Sequence, residues 1–236
     1  MAEKKEIKKT VKKERTIVVP GEIVSKESGI LPGEGTRKEG KEIIANRFGL
    51  LEKSGRLIKI IPLSGVFSPR AGNVIIGEVQ DITMRGWIID TDSSSQGFLS
   101  LDECPRYINK NDISSFLEIG DMLAAKIYAV KQKSIELTIR GHGLGKLEGG
   151  LIMKINPNKV PRIIGKEGSM INMIKDETEC HIVVGQNGII WIKGKEIENE
   201  LLAKETIIFI EKNSVVNGLT DKVQEWINQK KKEGKK

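Results

Sequence analysis

The chain has 236 residues, 38% apolar and 30% charged, with a formal net charge of +7, which gives room for one to three small domains. No apolar run approaches the ~20 residues of a membrane span, and the charged N-terminus has no signal-peptide core. Cys104 and Cys180 stand alone, so neither a disulfide framework nor a Cys-x-x-Cys zinc site is suggested. That fits a reducing cytoplasm, with no metal or other cofactor. The charge is uneven: residues 1–15 carry +4 and residues 230–236 carry +4, which leaves the body between them at −1. Nucleic-acid binding by the body would therefore depend on local patches, not on a field over the whole surface.

Residues 1–15 read as a basic flexible arm, either a solubilising tail or a contact. From Thr16 short apolar runs alternate with glycine, as in T-I-V-V-P-G-E-I-V, E-I-I-A-N-R-F-G-L-L and R-L-I-K-I-I-P-L. The glycines fall at hairpin-like spacing, so residues 16–70 are assigned to a small N-terminal β domain. Its apolar residues fill its own core or serve an interface; both readings stand. Gly35 to Lys41 fits the G-x-x-x-x-G-K frame of a phosphate loop. Glu42 stands where Ser or Thr would hold magnesium, and no helical pattern follows, so that frame is rejected.

Residues 71–140 hold five strand patterns: G-N-V-I-I-G-E-V-Q-D-I, R-G-W-I-I-D-T-D, Q-G-F-L-S-L, G-D-M-L-A-A-K-I-Y-A-V and S-I-E-L-T-I-R-G. Five strands in this length suggest an OB-type barrel. Trp87 and Phe98 fall on the second and third strands, where such barrels stack bases. The alternative is that either ring fills the barrel core. Arg85, Lys126 and Arg140 are the nearby charges, RNA contacts in the first case and merely solvated in the second.

Residues 141–148 form a glycine-rich linker, in which His142 has no metal-ligand neighbours. In the next unit, residues 149–213, the decisive stretch is V-P-R-I-I-G-K-E-G-S-M-I-N-M-I, Val160–Ile174. Pro161 suits the first turn of a short helix, and Met170, Ile171 and Ile174 recur at helical spacing. Between them lies a Gly-x-x-Gly loop, Gly165–Gly168. Two glycines three apart permit a sharp turn and close backbone approach. The loop opens a helix, whose free N–H groups suit an anion. This is the layout of the KH loop that clamps single-stranded nucleic acid; the plainer alternative is a helix–loop–helix turn. Lys159, Arg162, Gly165, Lys166 and Gly168 are the candidate RNA contacts. Asn187-Gly188 between two apolar runs signals a hairpin, and a helix follows from about Glu196. Strand–helix–helix–strand–strand–helix is the order of the eukaryotic-type KH fold. Val223, Trp226 and Ile227 mark a last amphipathic helix within residues 214–229, and residues 230–236 read as a basic tail.

A barrel joined to a KH unit through G-L-G-K-L-E-G-G, after a β unit with I-V-V-P-G-E and L-P-G-E-G-T, resembles one family. It is similar to the RNA-binding cap subunit of the archaeal exosome, of the S-one/KH type (S-one being the OB repeat first named in a ribosomal protein). P-R-I-I-G-K-E-G-S-M-I and G-Q-N-G-I-I-W-I are its most specific stretches, and the likeness covers nearly all of residues 16–210. The resemblance implies a multidomain protein, β plus α+β, with an N-terminal β domain, an S-one barrel and a C-terminal KH domain. It implies single-stranded RNA as ligand and a hexameric phosphorolytic exoribonuclease ring as partner. The family's zinc-ribbon cap paralogue is a further partner in mixed complexes. In that arrangement the N-terminal unit grips the ring, the barrels surround the entry pore and the KH units lie outside. Two departures bear on RNA contact. Lys166-Glu167 is less basic than many KH loops, and an acid beside a phosphate weakens a charge-assisted bond. Met84-Arg85-Gly86-Trp87 stands where many S-one repeats carry an aromatic before the glycine.

The function expected is therefore a non-catalytic RNA-binding cap that recruits 3′ tails and threads them into the ring. A catalytic ribonuclease is opposed by two unpaired histidines, the lack of a nucleophile–base pattern and the lack of an acidic metal cluster beyond Asp176, Glu177 and Glu179. The alternative is a stand-alone RNA binder acting around the ribosome, which would need no docking surface.

Overall fold

In a computed structural model of the chain, the described residues are 16–27, 29–109, 112–132, 134–214, 216 and 218–233. The basic arm 1–15 and the end of the basic tail lie outside them. The chain divides into two units, Met1–Ser64 and Gly65–Lys236.

In the first unit the glycine-broken runs become short strands: β1 (Ile17–Val18), β2 (Ile23–Ser25), β3 (Leu31–Pro32), β4 (Thr36–Glu39), β5 (Glu42–Ala45), β6 (Gly49–Ser54) and β7 (Leu57–Pro62). They form two small sheets, ordered β1-β6-β7-β3 and β2-β5-β4. Gly49 is where β6 meets β7 most closely; a Cβ there would collide with the Ile61 carbonyl. Val18, Ala45 and Ile60 make one buried cluster and Ile30, Ile43 and Ile58 another, both touching Val24 and Leu51. The rejected phosphate-loop frame is the β4–β5 hairpin, turning at Gly40 with φ 58°. Ile17, Val19, Leu31, Phe48 and Leu57 stay exposed. The core reading thus holds for the clustered residues, and these five lie outside that core.

The second unit begins earlier than the sequence suggested, at Gly65 and not at residue 71. The reason is Phe67, which packs against the barrel core. The barrel is built from β8 (Val74–Thr83), β9 (Gly86–Asp90), β10 (Gln96–Ser100), β11 (Met122–Val130) and β12 (Ser134–Thr138). Neighbours run β12-β10-β9-β8-β11, and a β11–β12 pairing closes the ring. Only β10–β12 is parallel among these pairs, the arrangement of an OB barrel. Period-two alternation sends Ile75, Trp87, Ile89, Leu99, Ile127 and Leu137 inward,. The connection from β10 to β11 carries a 3₁₀ turn at Leu101–Glu103 and the short helix α1 (Ile113–Phe116), neither signalled by the sequence. The linker is not free either: β13 (Gly145–Leu147) adds to β11, with Met122 opposite Leu147.

The KH unit follows as β14 (Leu151–Lys154), α2 (Val160–Ile164), α3 (Ser169–Thr178), β15 (His181–Val184), β16 (Ile189–Lys193) and α4 (Ile197–Lys212). Its sheet is ordered β14-β16-β15. Helix α5 (Leu219–Glu233) belongs to the same core through Leu219, Val223 and Ile227. The rings of Phe209 and Trp226 stack at 5.3 Å. Lys231 reaches Glu177 at 2.6 Å, and Lys230 lies 3.8 Å from Glu205. The helix therefore continues past residue 229, and Lys230–Lys232 form its last turn, not a tail. Hydropathy gives no hint of this, because acids on neighbouring helices hold Lys230 and Lys231. Cations also suit a helix C-terminus.

Barrel and KH unit are joined by the G-Q-N-G turn, where Asn187 is 2% exposed. β8 begins at Val74, while its pairing with β9 begins only at Glu78. The open backbone groups are met by the turn. The Asn187 amide donates to the Ile76 carbonyl at 2.7 Å and to the Thr91 carbonyl at 2.9 Å. Its oxygen accepts from the Ile76 N–H at 3.3 Å. The Gln186 N–H donates to the Val74 carbonyl at 2.8 Å. Gly185 has to lack a Cβ, which would sit 2.8 Å from the Ile76 nitrogen. Ile76, Ala124, Ile189 and Trp191 close the seam with an apolar cluster, and Lys154 pairs with Asp92 at 3.0 Å at its edge.

Asn187→Ala strips partners from the backbone groups of Ile76 on β8 and of Thr91 just after β9, so it should destabilise the second unit by on the order of 1–3 kcal/mol. Denaturant unfolding measures this. A loss within the ~0.5 kcal/mol of an ordinary surface substitution would mean that the amide does not hold the seam.

Candidate nucleic-acid interface

The Gly-x-x-Gly loop is a strained turn between two helices. Gly165 has φ 76° and ψ 179°, and a Cβ there would lie 2.7 Å from both the Cβ and the nitrogen of Met170. Gly168 has φ 82°, with more open space around it. Glu167 is itself left-handed, at φ 54°. A non-glycine residue there costs energy and marks a loop whose shape matters. The Gly165 N–H is spent on the Pro161 carbonyl at 3.0 Å, ending α2. Beyond it, Lys166, Glu167 and Ser169 are exposed at the entry to α3, where N–H groups and the helix dipole favour an anion.

Of the five KH candidates, Arg162, Gly165, Lys166 and Gly168 come together at this turn, with both cationic side chains exposed. Neither Arg162 nor Lys166 has an ion pair among the described residues. Both line an open cleft of about 490 Å³, whose opposite wall is Gly218–Thr220 at the start of α5. Lys159 stands apart. It is half-buried, with its ammonium 4.0 Å from Glu211, so its charge is directed into an ion pair and not at the loop.

On the barrel the aromatic pair splits. Trp87 is fully buried; its Nε1 donates to the Leu117 carbonyl at 3.1 Å, and its ring lies 5.7 Å from Phe116. It is core and offers no face to a base, which corrects the stacking role considered above. The cause is register: Trp87 pairs with inward-facing Leu99. Phe98, one position out of phase, points outward and is half-buried, opposite Ile88 and Glu136. Arg85 in the β8–β9 turn and Lys126 on β11 are exposed. Arg140 is exposed too, although its Nε donates to the Cys104 carbonyl at 3.1 Å.

Sequence reasoning missed Tyr128. It shares the outer side of β11 with Lys126 and is 45% exposed. Its hydroxyl donates to Glu136 at 2.5 Å, and Lys131 reaches the other carboxylate oxygen at 2.5 Å. The bond to Glu136 pushes the phenol up to about 12. Lys131, and then Tyr128, hold the Glu136 carboxyl below its usual range. The signal was present: in A-K-I-Y-A-V, inward Ala125 and Ile127 place Lys126 and Tyr128 outside. Phe98, Glu136 and Tyr128 thus lie along one outer row of the barrel.

Other chemistries find little here. Burial pushes the Cys104 thiol up to about 11 and raises that of Cys180. Among the described residues no group of three His, Cys, Asp or Glu side chains could hold a metal. Nor is any helix long and apolar enough to cross a membrane.

Residues 150–198 match the family model of the KH domain. Over most of its length the chain is similar to proteins named exosome complex component Rrp4. It is 40% identical to that of Methanothermobacter thermautotrophicus, covering 91% of this chain and 68% of the relative. It is 38% identical to that of Thermococcus kodakarensis, covering 94% and 88%, and 39% identical to that of Picrophilus torridus, covering 92% and 94%. A crystal structure of an exosome complex RNA-binding protein superposes with a TM-score of 0.64 at 33% identity. It covers 71% of this chain and 98% of that one.

Burial of Trp87 separates core from contact. Trp87→Ala should cost about 3–5 kcal/mol of stability in thermal or denaturant unfolding. Tyr128→Ala, on the outer face, should leave the melting temperature almost unchanged. A Trp87→Ala chain as stable as wild type would return the ring to the surface.

Proposed function

The chain belongs to the Rrp4 family of exosome complex components, and from that premise we propose that it is the complex's RNA-binding cap. It takes single-stranded RNA on the KH loop and the outer face of the barrel, performs no bond cleavage itself, and feeds 3′ tails to a phosphorolytic exoribonuclease ring. The observation that carries this reading is the strained, exposed Gly-x-x-Gly turn, with Arg162 and Lys166 beside it and in no ion pair among the described residues. That arrangement suits a phosphate backbone read without regard to sequence. Glu167 tempers it, so affinity from this loop is modest and strongly salt-dependent.

The first unit supplies docking. Ile17, Val19 and Leu31 are 50–60% exposed. An interface core is typically apolar and depleted in charge. These residues favour an adaptor over a stand-alone binder acting around the ribosome, which would leave them in water for no gain.

Lys166→Asp with Glu167→Asp keeps both glycines and places two acids where the phosphate would lie. RNA binding should fall about tenfold or more while circular dichroism stays normal. Unchanged affinity would remove the KH loop from the RNA site. Separately, Ile17→Asp with Leu31→Asp should abolish co-elution with the nuclease ring and leave RNA binding by the free chain intact. Co-elution that survives would move docking to the second unit. Neither chain should degrade RNA alone, with or without magnesium or phosphate.

A further inference from the structure

The connection from β10 to β11 presents one short segment whose chemistry nothing above uses. Cys104 and Ile108 are buried in the barrel core, at 2% and 8% exposure. The three residues between them, Pro105, Arg106 and Tyr107, are all exposed, and Tyr107 is 92% so. Two buried anchors four apart, with a proline between them, hold this loop tightly. Its side chains are therefore displayed at low entropic cost. The Arg106 guanidinium lies 5.3 Å over the Phe116 ring, which restrains it further.

Two more arginines meet the same connection. The Leu101 N–H donates to the Arg85 carbonyl at 3.1 Å, and Arg140 Nε donates to the Cys104 carbonyl at 3.1 Å. A guanidinium has five N–H donors, so Arg140 keeps most of its capacity. Arg85 and Arg140, both exposed, thus border the connection that displays Arg106 and the almost fully exposed Tyr107. Asp102 and Glu103, on the turn just before the loop, offset two of the three charges. Attraction at long range is weak here, and binding would rest on contact: guanidinium to phosphate, ring to base.

Resting on the reading that this chain binds single-stranded RNA, we infer that Arg106 and Tyr107 form a further RNA subsite at this rim of the barrel. Tyr107 stacks on one base, and Arg106, with Arg85 and Arg140, holds the flanking phosphates. An aromatic platform beside a cationic track is what sequence-tolerant single-strand binding requires. A protein partner is the rival occupant. Tyr and Arg serve protein interfaces too; RNA is favoured here because a guanidinium beside an exposed ring matches the alternation of phosphate and base along a single strand.

The test is fluorescence anisotropy with a labelled oligouridine RNA across a salt series, using the full chain. Tyr107→Ala should weaken binding about 5- to 150-fold, the value of one base–aromatic stack, while Tyr107→Phe keeps wild-type affinity. Arg106→Ala should flatten the slope of log affinity against log salt by about 0.7, one phosphate contact on a single strand. All three variants should melt as wild type does. Tyr107→Ala binding as tightly as wild type, while the Lys166/Glu167 double variant is weakened, overturns this subsite alone. A wild-type chain that does not bind the RNA overturns both readings. RNA affinity unchanged in Tyr107→Ala, with co-elution on the nuclease ring lost, makes the rim a protein contact and also overturns it.

Discussion

The second unit depends on one buried amide. Asn187 supplies a donor pair and an acceptor to backbone groups of Ile76 and Thr91 that no strand reaches. Unmet, those groups would cost on the order of 1–3 kcal/mol against the apolar seam around Ile76 and Trp191. Met, they turn a hairpin tip of the KH sheet into a continuation of the barrel. The two folds then act as one body, and residues separated by about a hundred positions hold fixed relative places. A nucleic acid that touches both surfaces meets a preorganised track, and the cost of aligning them is met in folding.

The KH loop is preorganised by a different means. At Gly165 backbone and side chain of Met170 come too close for any Cβ, and at Glu167 an ordinary residue is forced into the left-handed region. The burial of Ile163, Met170 and Ile174 on either side over-determines the turn. Strain of this kind persists only where surrounding packing enforces it. The result is a short arc of backbone at a helix entrance, with Arg162 and Lys166 beside it. Such an arc suits a chain of phosphates more than any one base, as the proposed function requires.

Much of this was legible in the sequence, because the signals were local. Glycine-broken runs, five period-two strands and the Gly-x-x-Gly turn between apolar helices each declare themselves within about fifteen residues. What was not legible depends on partners distant in the chain. Trp87 is a plausible platform until its register with Leu99 puts it inside, while Tyr128 comes outside by the same alternation. Lys159 looks like a loop contact until Glu211 claims it. Lys230 and Lys231 look like a tail until Glu205 and Glu177 tie this end of α5 to α4 and α3. Asn187 carries a correct turn signal that conceals a more demanding role, since a tip asparagine and a buried clamp read alike in one dimension.

The distribution of charge follows from the same division. With the excess cations at the two ends of the chain and a body at −1, the folded surface cannot draw RNA in by net field. Acids flank the candidate contacts: Glu167 follows Lys166, and Asp102 and Glu103 precede Arg106. Single sites built this way are weak, and several on one rigid body gain by effective concentration what none has alone. A strand held by many weak contacts can advance by exchanging them one at a time, whereas one tight site would stall it. A near-neutral body suits the proposed function of passing RNA onward, and the seam at Asn187 fixes the relative places of contacts on the barrel and the KH unit.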